Sequence, residues 1–142
     1  MRRKENSIEE KSVNPNAVYT KLLTPPRALR NDPDLTTRLR ATPAIYVPWV
    51  VLGELHYGAL RAQRREAQLA LIRDFLQTAI LLLPDRNTTE RYGQVKAEMA
   101  RLGKPIPDND LWIAAMARQY DLPLATRDAH FAHVPRLKML AW

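Results

Sequence analysis

PIPDNDLWIAA at residues 105–115 and LATRD at residues 124–128 are the two stretches of sequence that decide the fold of this chain. The first predicts a proline-containing loop and then an apolar helix, with Asp110 at the start of that helix. The second predicts a short apolar strand, with Asp128 just beyond its end. Side chains at such ends lie where α/β folds hold their ligands. We therefore expect the two carboxylates to converge, as binding of a hard divalent cation requires.

The same alternation of helices and short apolar strands extends through most of the chain. Strands are predicted at residues 45–47, 80–83, 122–126 and 137–140, helices at 34–40, 49–62, 64–78, 88–102 and 110–120, and a turn of helix near Phe131. Asp85 or Asn87 is expected to cap the helix at 88–102, and Gly103 to end it. Such alternation indicates an α/β fold in which helices cover both faces of a parallel sheet.

The composition is that of an ordinary globular domain. The 142 residues, 46% hydrophobic and 26% charged, are enough for a core without disulfides or structural metals. There is no cysteine, which excludes disulfides and thiolate metal sites. The formal net charge of +7 favours a polyanionic partner, although charge alone is weak evidence.

Several classes of protein are excluded by what the sequence lacks. The charged N-terminus is not followed by an apolar segment, and apolar runs such as residues 79–83 are far too short to cross a bilayer. We therefore expect a cytoplasmic protein with no membrane partner. Ser7 and Ser12 are the only serines, so a serine triad is implausible, and there is no glycine-rich phosphate loop.

The N-terminal segment differs from the rest. Residues 1–33 are polar, contain four prolines and show no helical periodicity. Only residues 17–23, AVYTKLL, have the composition of a short strand. We interpret residues 1–33 as an atypical segment, disordered or contributing that one strand, and residues 34–142 as the folded domain.

Glu54 is a third candidate acid. It lies in a mostly apolar helix, where burial of a charge is costly unless the charge is paired or coordinated. Gly53 and Gly58 flank it, and each costs a helix roughly 1 kcal/mol relative to alanine. The glycines predict close packing of another element beside Glu54. The alternative is an ordinary glutamate on the solvent-facing side of the helix.

Structural roles also explain the other acids and the histidines. Asp110 is a suitable helix N-cap, worth roughly 0.5–2 kcal/mol, and Asp108 competes with it for that position. Asp128 would cap the next turn of helix. His130 and His133 follow Asp128 at a spacing found in zinc sites, but no cysteine or further histidine is nearby to complete one. The hypothesis of a functional site therefore depends on convergence of the acids.

Four stretches of the chain resemble the PIN-domain family, and specifically its VapC-type toxins, in the family's order. They are VVLGELHYGA at 50–59, IPDNDLWIAA at 106–115, LATRDAHF at 124–131 and LKMLAW at 137–142. The resemblance covers residues 35–142 and implies a PIN-like α/β/α sandwich with a parallel sheet. It also implies a metal-dependent endoribonuclease toxin of a type II toxin–antitoxin system, neutralised by a cognate antitoxin. Family members commonly form homodimers.

The resemblance assigns roles to particular residues. Glu54, Asp110 and Asp128 would be catalytic acids that bind Mg²⁺ or Mn²⁺, and Thr126 would position a metal-bound water or the Asp128 side chain. Carboxylate ligands leave water positions open on such an ion, which can then activate water for attack on a phosphodiester. Residues that would hold the RNA backbone are Arg61, Arg64 and Arg65, although a solvated helix face explains these arginines equally well.

The chain departs from the family pattern at the first strand, which in the family ends in Asp-Thr/Ser-Asn/Ser and carries the first acid. Here the segment Asn14-Pro15-Asn16 contains no acid, while Asp32 and Asp34 precede a helix. Three explanations remain open: a misread N-terminus upstream of about Asp34, by a frameshift or wrong start; natural decay; or a substitute strand at residues 17–23 without its acid.

Because this acid is missing, two functions compete. One is an active toxin, and the other is an inactive PIN-like domain that binds RNA or an antitoxin. An unrelated α/β domain whose acids are helix caps is a third.

Overall fold

The computed structural model describes residues 44–126 and 128–140, together with the backbone of residues 18–19. The helices are α1 (Trp49–Arg61), α2 (Arg65–Leu76), α3 (Arg86–Arg101), α4 (Asp108–Gln119) and a 3₁₀ helix (Ala129–His133). The strands are β1 (Val18–Tyr19), β2 (Ile45–Pro48), β3 (Ala79–Leu82), β4 (Leu124–Ala125) and β5 (Met139–Leu140). From residue 45 onward, each predicted element is confirmed to within a few residues. The helix predicted at residues 34–40 lies outside the described residues.

The strands form one parallel sheet in the order β3-β2-β1-β4-β5. β1 is the central strand: Val18 is in register with Tyr46 of β2 and with Leu124 of β4. The predicted α/β fold with a parallel sheet is thus confirmed, and residues 17–23 do contain a strand. The division at residue 33/34 stays a prediction, but the sheet includes residues from before it. Because the strands are parallel, their carboxyl ends share one edge.

The core lies between the sheet and the helices, and α4 is its most deeply buried helix. Ile113, Ala114, Ala115 and Met116 are all fully buried, at 0% exposure. The small side chains of Ala114 and Ala115 let α4 approach its neighbours closely. The first turn of α4, which carries Asp110, leads directly into this buried stretch.

The ends of α3 are fixed by the residues that the sequence singled out. Asp85 is the N-cap and forms a reciprocal capping box with Thr88. Gln119, at the end of α4, also donates a hydrogen bond to Asp85 Oδ1, at 2.9 Å. The backbone N–H of Thr88 and this amide hold the pKa of Asp85 below its ordinary value. Gly103 follows the helix with a φ of +65°, which favours glycine.

Two predictions about packing are wrong. Helices were expected to cover both faces of the sheet, including the strand predicted at 80–83, but β3 is an edge strand, and Ile80 and Leu83 are 48% and 61% exposed. Gly53 and Gly58 were expected to mark a close contact, but within the described residues a Cβ added at either meets nothing within 4 Å. Edge position and helix contacts both depend on distant parts of the chain, which local sequence patterns do not report.

None of the helices in the described part of the chain has the length and hydropathy needed to cross a membrane.

Candidate metal centre

Asp110 is a buried carboxylate in the first turn of α4. The helix begins at Asp108, so Asp110 is its third residue, and the N-cap position is Pro107, which makes no side-chain cap. The alternative of Asp110 as an N-cap is therefore wrong. Asp110 is only 1% exposed. It lies in the first turn, near the positive end of the helix dipole.

Asp108 has a different environment from Asp110, although only one residue separates them. Its carboxylate Oδ1 accepts hydrogen bonds from the Tyr92 hydroxyl at 3.0 Å and from Lys96 Nζ at 3.3 Å, both on α3. These contacts, the tyrosine hydrogen bond foremost, hold the pKa of Asp108 below its ordinary value. The Asp108 side chain is 70% exposed. Asp108 thus links α4 to α3, while Asp110 is buried.

Asp128 follows β4 and caps the 3₁₀ helix. Its carboxylate Oδ1 accepts a hydrogen bond from the backbone N–H of His130, at 2.9 Å, which confirms the capping role. The backbone N–H of Asp128 donates to the Thr126 hydroxyl, at 3.1 Å. Thr126 is 5% exposed, so this hydrogen bond ties Asp128 to a buried residue next to β4.

His130 lies beside both carboxylates. Its Nδ1 atom is 3.1 Å from Asp128 Oδ1 and 3.7 Å from Asp110 Oδ2. One ligand atom from each of the three residues lies within 4.8 Å of the others. We call Asp110, Asp128 and His130 the Asp110 cluster. The cluster brings together the two acids that the sequence predicted would converge.

From the sequence, His130 was considered only with His133, as an incomplete zinc site, and its position beside the two acids was not predicted. His133 Nδ1 instead lies 3.2 Å from Lys104 Nζ, and His133 is outside the Asp110 cluster. The useful signal was the shorter spacing Asp128-x-His130, which places the imidazole in the first turn of the 3₁₀ helix that Asp128 caps. Local sequence does not reveal that Asp110 approaches the same imidazole.

Glu54 lies next to this turn of α4 but outside the compact set of ligand atoms. Its carboxylate Oε1 accepts a hydrogen bond from Asn109 Nδ2, at 3.2 Å, and the side chain is half-buried. Asn109 directly precedes Asp110 and was not singled out from the sequence. The third predicted acid is therefore linked to the first turn of α4 through an amide, with its carboxylate partly open to solvent.

The donor set of the Asp110 cluster fits a divalent cation. Two carboxylates and one imidazole are ligand types that Mg²⁺, Mn²⁺ and other first-row ions accept in different proportions. Asp110 is nearly inaccessible, whereas the His130 side chain is 58% exposed. An ion would thus have protein on one side and access to water and substrate on the other.

The three candidate RNA-binding arginines lie on the exposed surface at the end of α1 and in the turn to α2. The Arg61 guanidinium lies over the Tyr57 ring, 5.3 Å from its centroid. Arg65 donates to the Leu60 carbonyl at 3.0 Å, and Arg64 is exposed at the start of α2. These contacts of Arg61 and Arg65 are with residues four or five positions away in the chain. A role in RNA binding therefore stays a prediction.

Comparison with known proteins identifies the family. The PIN domain family model matches residues 27–137. Ribonuclease VapC2 of Haemophilus influenzae is 34% identical over 94 residues, which are 66% of this chain and 71% of that protein. The tRNA(fMet)-specific endonuclease VapC of Shigella flexneri is 36% identical over the same shares of the two chains.

Solved structures give the same result. The DNA-bound VapBC structure from Salmonella typhimurium matches with a TM-score of 0.80 and 26% identity, over 89% of this chain and 98% of the other. VapBC2 from Rickettsia felis, bound to a promoter DNA fragment, matches with a TM-score of 0.79 and 25% identity, over 88% and 98%. The family model, the relatives and the fold agree with the sequence motifs: the chain belongs to the PIN-domain family, as a VapC-type member.

Proposed function

We propose that this chain is a divalent-metal-dependent RNA endonuclease, the toxin of a toxin–antitoxin pair. The observation that carries the proposal is the convergence of buried Asp110 with Asp128 at the carboxyl-end edge of the sheet. The names of its relatives, a ribonuclease and a tRNA endonuclease, support RNA as substrate. The matching VapBC structures support a cognate antitoxin as partner.

Asp110 and Asp128 would hold Mg²⁺ or Mn²⁺, with Glu54 beside them at the start of α4. When bound, the ion would supply an activated water and stabilise negative charge on the scissile phosphate. Thr126 would act through the backbone, because its hydroxyl accepts the N–H of Asp128. Asn109 would keep the Glu54 carboxylate facing the same turn. No nucleophilic side chain is needed.

The RNA backbone would contact the exposed arginines of the α1–α2 turn, Arg61, Arg64 and Arg65. The net charge of +7 would strengthen this attraction at low ionic strength. We further propose that the protein acts in the cytoplasm, where RNA is available, and that it forms a homodimer. Its apparent mass in size-exclusion chromatography tests the second point.

An inactive PIN-like domain that binds RNA or an antitoxin is the second candidate. One observation favours it: β1 ends at Tyr19, and the surrounding residues 14–23 contain no acid. The family pattern has its first acid at the end of this strand. A missing carboxylate would weaken metal binding, because the charge of the ligand set tunes the affinity of such sites.

The test is cleavage of RNA by the purified protein with Mg²⁺ or Mn²⁺, against an EDTA control and the Asp110→Asn variant. We expect cleavage that requires the metal and is lost in the variant. Cleavage that persists in EDTA would contradict the proposal. A folded protein that binds RNA without cutting it would support the inactive alternative instead.

A further inference from the structure

We propose that His130 is the third ligand of the metal centre, and that it makes the site prefer a first-row transition ion such as Mn²⁺ to Mg²⁺. The inference rests on the proposed function of the Asp110 cluster, since it names the ion which that cluster selects. It assigns a direct ligand role to a histidine in a chain that lacks the acid expected at the end of β1.

The distances in the cluster fit three ligands of one ion. Bonds of about 2.1 Å place neighbouring ligand atoms about 3.0 Å apart in an octahedron and about 3.4 Å apart in a tetrahedron. His130 Nδ1 is 3.1 Å from Asp128 Oδ1 and 3.7 Å from Asp110 Oδ2. The first separation matches these values, the second is somewhat longer, and the two carboxylates lie within 4.8 Å of each other, so an ion could bind once the side chains draw together around it.

The backbone around His130 is already fixed. Its N–H donates to Asp128 Oδ1, which ties the first turn of the 3₁₀ helix to one of the two acids. The neighbouring Phe131 is fully buried, at 0% exposure, and anchors the same turn in the core. Little conformational entropy of the backbone is therefore lost when the imidazole binds an ion.

The ligand types decide which ion is preferred. Carboxylate and water ligands suit both Mg²⁺ and Mn²⁺, whereas imidazole suits transition ions, most strongly Fe, Ni, Cu and Zn. Mn²⁺ is itself a transition ion and bonds to nitrogen more strongly than Mg²⁺, so the imidazole shifts the preference toward Mn²⁺. With a neutral imidazole as the third ligand, the cluster carries the charge of only two carboxylates. A third carboxylate in place of the imidazole would add a negative charge, which favours a hard ion such as Mg²⁺.

The competing explanation is that a protonated His130 only pairs with the two acids. His133 provides a matched control, because it is on the same 3₁₀ helix but contacts Lys104 instead of the cluster. Substitution by glutamine at either position removes the imidazole and keeps a polar side chain. A His130→Asp variant would in addition convert the cluster to carboxylates alone.

The test is electron spin-echo spectroscopy of Mn²⁺ bound to the wild-type protein and to the His130→Gln and His133→Gln variants. We expect the ¹⁴N modulation of a coordinated imidazole in the wild type and in His133→Gln, and its absence in His130→Gln. Bound Mn²⁺ without this modulation in the wild type would overturn the histidine ligand and leave the proposed metal site intact. Failure of the folded wild type to bind Mn²⁺ would overturn both.

Calorimetric titration with Mn²⁺ and with Mg²⁺ measures the selectivity of the site for the two ions. We expect His130→Gln to weaken Mn²⁺ binding by at least about tenfold, the lower end of what loss of even an outer-shell partner costs. Mg²⁺ binding should change less, and His130→Asp should shift the preference toward Mg²⁺. Equal losses for the two ions in His130→Gln would contradict the proposed selectivity.

Discussion

The Asp110 cluster and a second charged cluster, formed by Glu98, Arg118 and Arg136, have opposite charge balances. Arg118 lies on α4, as Asp110 does, and Arg136 shortly follows the 3₁₀ helix. The Glu98 carboxylate accepts from Arg118 Nη1 at 2.7 Å and Nη2 at 3.3 Å, and from Arg136 Nη2 at 2.7 Å. One carboxylate there meets two guanidinium groups, whereas in the Asp110 cluster two carboxylates meet one imidazole.

The difference separates a structural cluster from a functional one. The hydrogen bonds from Arg118, and after them those from Arg136, hold the pKa of Glu98 below its ordinary value of 4.5. This cluster stabilises the fold by linking α3 to α4 and to the segment that follows the 3₁₀ helix. The Asp110 cluster instead concentrates negative charge where the Asp110 side chain is 2% exposed. Folding alone does not require such a concentration, but binding of a cation does.

The largest effect is expected from Asp110→Asn. Loss of a carboxylate ligand should lower the rate of metal-dependent RNA cleavage by roughly 100-fold or more. The melting temperature without metal should change little, because the amide has the same shape and removes a like charge beside Asp128. Single-turnover cleavage and thermal melts measure the two effects. Asp108→Asn, two residues earlier and exposed, is the control and should keep most activity; equal rates in both variants would contradict a special role for Asp110.

Glu98→Gln should have the opposite effects: a loss of stability with little change in the rate of RNA cleavage. We expect a loss of about 2 kcal/mol of unfolding free energy at pH 7, the scale of hydrogen bonds to a charged group. The lowered pKa of Glu98 contributes stability above pH 4.5, and this contribution is lost as the pH falls through the lower pKa of the folded state. Urea unfolding at pH 7 and pH 3 should show the difference from wild type shrinking in acid.

Exposed Glu90 on the same helix gives the matched control for Glu98, and Glu90→Gln should leave the free energy of unfolding nearly unchanged. A Glu98→Gln deficit that is the same at both pH values would contradict the charge-based account of this cluster.

Tyr19→Asp would test whether the Asp110 cluster is short of one acid. The substitution puts a carboxylate at the end of β1, in register with Ala125 of β4, whose chain leads to Asp128. Metal affinity should rise by about tenfold, because added ligand charge strengthens binding of hard cations. Tyr19→Asn controls for loss of the aromatic ring. Equal affinities of the two variants in calorimetry would show that the end of β1 does not contribute to the site.

The smallest effect is expected from Asn109→Ala, which removes the hydrogen bond to Glu54 and keeps both acids of the Asp110 cluster. The net value of such a bond is about 0.5–1.5 kcal/mol, so the cleavage rate should fall by a few-fold. Asn87→Ala, at an exposed position of α3, should leave the rate unchanged. An Asn109→Ala rate equal to that of wild type would indicate that Glu54 needs no support from the amide.

The parallel sheet could be predicted from the sequence, because apolar periodicity is a local property. The convergence of Asp110 with Asp128 could be predicted because α/β folds bring such element ends together at one edge of the sheet. The edge position of β3 and the open space around Gly53 and Gly58 could not be, since both depend on contacts between distant segments. His130 was underestimated for the same reason: its spacing to Asp128 is local, but its approach to Asp110 is a tertiary contact. Asn109 lies beside a predicted acid, yet its bond to Glu54 joins two separate helices.

The central claim is that the Asp110 cluster is built for a divalent cation, and Mn²⁺-dependent thermal melting tests it most directly. Ligands that bind only the folded state raise its stability with concentration. We predict that Mn²⁺ raises the melting temperature of the wild type and of Glu98→Gln by several degrees at saturation, and leaves that of Asp110→Asn unchanged. No shift in the wild type, or an equal shift in Asp110→Asn, would contradict the claim.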